Sequence, residues 1–144
     1  MSAHSTAKDL GLDVTTDDGL YGWFLASLLF GRPVQESVAI QAWKVLREDG
    51  FTSPESFIGA SSTRIDTDLW NANYRHLVGV MTAELPRVME DLIAAYGSVR
   101  ALITTAESRS QLETRLEDFT GVGPKTAEIF LREITDDMIG SNAA

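Results

Sequence analysis

Cysteine does not occur anywhere in the 144 residues. That absence excludes disulfides, thiolate-bound metals and cysteine-ligated iron–sulfur clusters, and it fits a reducing, cytoplasmic setting. Long apolar runs are missing as well. The longest, "LYGWFLASLLFG" from Leu20 to Gly31, is roughly a dozen residues, whereas a membrane-crossing helix needs about 20. No membrane partner is expected, and the run should form a buried helix. The N-terminal "MSAHSTAKDLGLDVTTDDG" contains no apolar stretch of signal-peptide length. Positive charge is also scarce, with 12 Lys and Arg against 21 Asp and Glu and a net charge of −9. A general nucleic-acid binder carries a basic face, so this balance argues against one. It leaves room for local phosphate binding by backbone amides and one or two cations, with few phosphates neutralised and marked salt sensitivity.

What the chain does contain is ordinary for a globular protein: 44% hydrophobic and 23% charged residues. The length suits one domain able to bury a core without covalent staples. Residues 1–16 are polar and aperiodic and are expected to form a flexible arm, with a helical domain over 17–144. Asp17 or Asp18 should cap a helix whose apolar stripe is Leu20, Phe24, Leu25, Leu28 and Leu29, broken at Gly31-Arg32-Pro33. A second helix is expected from Gln35 to Glu48. "TSPESFIG" has the cap, early proline and glycine stop of a short third one.

Ile65, Leu69 and Trp70 suggest another short helix, and Tyr74 to Val80 a turn or connector. The period is clean from Thr82 to Tyr96, with Pro86 expected in the first turn, where it is tolerated. Short helices follow in "SVRALIT", in "SRSQLETRLEDF" and from Pro124 to Ile134. No strand alternation, repeat or linker interrupts this pattern. The expected fold is all-α, a single compact orthogonal bundle of about eight short helices.

One segment stands apart, "FTGVGPKTAEIFLREI" from Phe119 to Ile134. Gly121 and Gly123 permit a tight turn and leave main-chain N–H groups uncovered. Pro124 presets the first helical turn, so the amides and the positive end of the helix dipole meet at the bend, where a phosphate oxygen is well held. Val122 would pin the bend to the core. Lys125 sits in the first turn, where a cation gains nothing from the dipole. Elsewhere, Asp66 and Asp68 with a distant His76 lack the spacing of a metal site. One of Trp70 or Tyr74 is a candidate wall for a flipped base.

The segment resembles the helix-hairpin-helix element, over about residues 107–134. More narrowly, "DFTGVGPKTAEIFLREI" is similar to that element in the endonuclease III-like superfamily of base-excision DNA glycosylases. "FLASLLFGRPVQESVAIQAWKVL" looks like that superfamily's early helix–loop–helix, whose polar residue enters the DNA at the damaged base.

The resemblance implies that Gly121, Val122 and Gly123 hold a backbone phosphate, assisted by Lys125, Thr126, Arg32 and Gln35. It also implies a monovalent cation on carbonyls near Thr120 and Val122, with no side-chain metal ligands and no other cofactor. Lys125 matches the lysine that attacks the sugar C1′ and forms a Schiff base in bifunctional members. Such an amine must first lose its proton. The implied partner is damaged or abasic duplex DNA, and the implied activity is that of a glycosylase or abasic-site lyase. The sequence departs from the pattern downstream, since the family's catalytic aspartate lies further from the lysine than Asp136 or Asp137, the acids present. A second chain completing the site would account for that. The other reading is a catalytically inactive helical interaction module that uses the hairpin as scaffold.

Overall fold

The first helix, α1 (Asp17–Phe30), is buried from Gly19 to Phe30. An all-round apolar helix of this kind belongs at the centre of a fold, and the other elements are arranged about it. The structure is a computed structural model that describes residues 5–141. The chain continues through α2 (Glu36–Glu48), α3 (Ser62–Asn71), α4 (Val78–Ala95), α5 (Val99–Thr104), α6 (Arg109–Glu117) and α7 (Pro124–Leu131). Two 3₁₀ helices, Lys8–Leu10 and Pro54–Phe57, complete it. Among the described residues there is no strand. The all-α class therefore holds, with seven α-helices where about eight short helices were expected. α2, α5 and α7 lie against α1, while α4 lies against α3 and the Pro54–Phe57 turn.

Aromatic side chains carry the packing and spend their polar atoms on main-chain carbonyls. Trp23 Nε1 donates to Phe130 O at 3.1 Å, and Trp43 Nε1 donates to Gly22 O at 2.9 Å. The Tyr21 hydroxyl donates to Phe51 O at 2.8 Å and that of Tyr74 to Leu29 O at 3.1 Å. Each buried donor is thus satisfied, so these large apolar surfaces are buried without stranding a polar atom. Phe24 meets both Phe119 and Phe130 edge-on, with centroids 6.0 and 5.6 Å apart. One α1 ring thereby grips both flanks of the glycine bend between α6 and α7.

Several local expectations change. Thr16, not Asp17 or Asp18, caps α1, its side chain accepting from Gly19 N. The short helix after Ser53 is 3₁₀ rather than α. α4 begins at Val78, which puts Pro86 in its interior. The packing of Met81, Leu85, Val88, Met89 and Leu92 into the core holds the helix through the missing N–H. α7 stops at Leu131, and Ile134 is buried just beyond it.

Residues 5–16 do not hang free as a loose arm: Ala7 is buried, its amide donates to Glu133, and Leu10, Leu12 and Val14 cover the core. The first four residues of the expected arm and the last three of the expected domain lie outside the described residues. Among those described, no helix is long and apolar enough to cross a membrane.

Candidate nucleic-acid interface

The bend between α6 and α7 is anchored by Phe119 and Val122, both buried. Val122 N donates to Phe119 O at 3.1 Å, closing a tight turn around Gly121. Gly121 has φ +78°, in the left-handed region that favours glycine. Gly123 is extended, at φ −107° and ψ −171°, and precedes Pro124 as the cap residue of α7. No side chain caps that helix start. Among the described residues, no hydrogen bond engages the amides of Gly123, Lys125 or Thr126. A methyl group built on Gly123 would meet nothing within 4 Å. The amides therefore face open space, at the positive end of a helix.

The two glycines differ in what surrounds them. A methyl group on Gly121 would collide with Glu84 Oε1 and stand 2.5 Å from Arg32 Nη2. Arg32, on the loop after α1, pairs with Glu84 of α4 through both carboxylate oxygens, with Nη2 2.9 Å from Oε2. Only 22% of the Arg32 side chain and 17% of that of Glu84 are exposed. Around this pair, Leu28, Met81, Thr120 and Thr126 leave a crevice of ≈ 10 Å³. That is room for about one water and not for a nucleotide base. Burial pushes the Tyr74 hydroxyl well above its ordinary pKa, with Arg32 opposing and Glu84 adding to the shift. Tyr74 thus stands beside the pair, buried and bonded to α1, and offers no stacking face.

The positions of the remaining candidates follow. Lys125 is exposed in the first turn of α7 and forms no ion pair or hydrogen bond among the described residues. Thr126 is buried against Gly31, the residue that ends α1, so its side chain is committed to packing and only its amide faces the bend. Gln35 is exposed and precedes α2 without capping it. Asp136 pairs with Arg109 of α6 at 2.9 Å. A side-chain hydrogen bond from Thr135 holds the Asp137 carboxyl below the usual range. Neither acid contacts Lys125.

Trp70 is 49% exposed, with the Arg75 guanidinium 4.5 Å from its ring centroid. Among the described residues, no group of three or more His, Cys, Asp or Glu is arranged to hold a metal. Asp66 is exposed, whereas Asp68 is buried on α3.

The fold thus brings Arg32, Gly121, Val122 and Thr126 to one place, with Gly123 and Lys125 at its outer edge, and adds Glu84. Sequence reasoning missed Glu84 because nothing local marks it among 21 acids; only the tertiary approach of α4 to the bend singles it out. Glu117 and Asp118, just before the bend, are exposed. The larger recesses lie elsewhere, one of ≈ 280 Å³ lined by Asp17, Asp18, Glu55 and Arg100 among others. Compared with known protein families, curated proteins and solved structures, the chain matches none.

Proposed function

We propose that the chain is a DNA-binding protein of the helix-hairpin-helix, base-excision type, in which α6, the glycine bend and α7 form the hairpin of an orthogonal bundle. It would hold one backbone phosphate of damaged or abasic duplex on the amides between Gly121 and Thr126. The observation that carries this reading is the set of amides at Gly123, Lys125 and Thr126 that no protein acceptor engages, opening onto the empty side of Gly123. Amides presented in this way bind an oxyanion without needing a basic surface. They reconcile phosphate contact with a net charge of −9.

The carbonyls of Thr120 and Val122 accept no hydrogen bond among the described residues, so they suit the monovalent cation that the resemblance implies. Such an ion would add positive charge at the phosphate. Lys125 stands one residue inside the helix start, next to the strand so held. Its proposed role is attack on C1′ of an abasic sugar and β-elimination, with DNA docking supplying the desolvation an exposed amine lacks. Asp136 is committed to Arg109, so the acid that activates a leaving base would come from a second chain.

A second reading, the catalytically inactive interaction module, is favoured by Glu84, whose carboxylate lies against Gly121. The two readings separate at Gly123→Val. The backbone at Gly123 is extended and its neighbourhood empty, so valine fits, at a cost of about 1 kcal/mol or less for a poorer cap residue. Its side chain would cover the amides. The DNA-binding reading expects a folded variant whose affinity for a labelled abasic duplex falls at least tenfold at low salt. Unchanged affinity, or no binding by the native chain at any salt, would leave the interaction module.

A further inference from the structure

Glu84 is the most unexpected member of the site. It reaches from the second turn of α4 and lays its carboxylate against the α-carbon of Gly121, while both its oxygens take the Arg32 guanidinium. The pair is mostly shielded from water. An arginine fork and a tight glycine bend are the groups that bind a phosphate in a planar, two-pronged manner. Here the protein's own carboxylate occupies that position. An incoming phosphate would meet this negative charge and find Arg32 already neutralised.

We propose that Glu84 is a built-in competitor for the phosphate site, holding Arg32 in reserve until a nucleic-acid phosphate displaces it. This rests on the phosphate-binding reading of the glycine bend. In the closed state only the outer amides at Gly123, Lys125 and Thr126 are open, so first contact is weak. When Glu84 swings out along α4, Arg32 is freed to neutralise a phosphate beside Gly121. The native chain then trades affinity for a threshold: a strand that engages only the outer amides dissociates, and one that can also draw in Arg32 stays.

No backbone obstacle opposes the exchange. Glu84 lies in a helix, and its side chain can turn outward without disturbing the core residues Met81, Leu85 and Val88. The crevice it vacates is bordered by Thr120, Gly121 and Val122, the bend itself.

The test is fluorescence anisotropy of a fluorescein-labelled abasic duplex, titrated at several salt concentrations with the native chain, Glu84→Gln, Glu84→Asp and the double variant Arg32→Ala/Glu84→Gln. Glu84→Gln keeps the shape and removes the charge. It is expected to bind about 3- to 10-fold more tightly, and its plot of log affinity against log salt should steepen by about 0.9, one further phosphate contact. Adding Arg32→Ala should return both quantities to the native values. Glu84→Asp keeps the charge but falls short of the bend, so it should tighten binding without needing the neutral variant to fold.

The two ideas fail differently. If the native chain binds, Gly123→Val weakens it and neither Glu84 variant changes affinity or slope, the competitor is refuted while the phosphate site stands. If neither the native chain nor either Glu84 variant binds at any salt, the phosphate site itself is refuted.

Discussion

Gly31→Ala is the sharpest probe of how the bend is held. Gly31 ends α1 at φ −72° and ψ 0°, a conformation open to any residue, so alanine carries no backbone strain there. Its methyl group would nevertheless collide with Thr126 Oγ1 and stand 2.8 Å from Thr126 Cβ and 3.0 Å from Thr126 Cα. Rotating the threonine moves Oγ1 but relieves neither of the other contacts. The end of α1 and the start of α7 must therefore part by several tenths of an ångström. Overpacking of this kind costs about 1–3 kcal/mol, against which reduced freedom of the unfolded chain returns about 0.4–1 kcal/mol.

The net loss is about 1–2 kcal/mol, a fall in Tm on the order of 5 °C for a chain of this size. Urea and thermal denaturation followed by circular dichroism would read it. Thr126→Gly costs about 1 kcal/mol alone in a helix. Combined with Gly31→Ala it should cost less than the two summed, by about 1 kcal/mol. A Gly31→Ala protein as stable as the native one, or losses that simply add, would refute the close approach of α1 to α7.

Two more predictions are independent of that junction. Burial first, then a hydrogen bond and charge from Asp49, push the Asp68 carboxyl up to about 7, and its Oδ2 has no other partner. The folded chain then binds this proton more tightly than the unfolded chain, whose aspartates titrate near 3.8. Stability should accordingly fall as pH rises from about 4 to about 7 and level off above. Asp68→Asn should flatten that slope and be the more stable protein at pH 8, whereas an unchanged slope in urea melts would refute the assignment. Lys125→Ala should alter stability by no more than about 0.5 kcal/mol, since the side chain is exposed. It should also abolish the covalent adduct that borohydride traps on abasic DNA, and persistence of that adduct would exclude Lys125 as the nucleophile.

Much of the helical frame was readable because its signals are local. The apolar run from Leu20 to Phe30 could only be a buried helix, and the glycines around Val122 marked the bend between α6 and α7 within a residue. Thr16 escaped notice because adjacent Asp17 and Asp18 are equally good cap residues in sequence. Pro86 misled because a proline in a helical pattern reads as a first turn, yet here the core contacts of α4 on both sides outweigh one missing hydrogen bond. The docking of Ala7, Leu10 and Leu12 was hidden in a polar segment without period, where three apolar side chains were enough to fix the backbone. Glu84 was invisible for a different reason. Its meaning comes from Arg32 and Gly121, which are 52 and 37 positions away in the chain, and no local pattern encodes such a meeting.

The most direct trial of the account is a titration of the ¹⁵N-labelled chain with abasic duplex at low salt, following every assigned backbone amide by NMR. The account predicts that the largest shifts fall on Gly121, Gly123, Lys125 and Thr126, with Arg32 moving alongside, and that they fade as salt is raised. Saturable binding that leaves those amides unmoved, or that shifts residues around Trp70 or Asp17 instead, would contradict it.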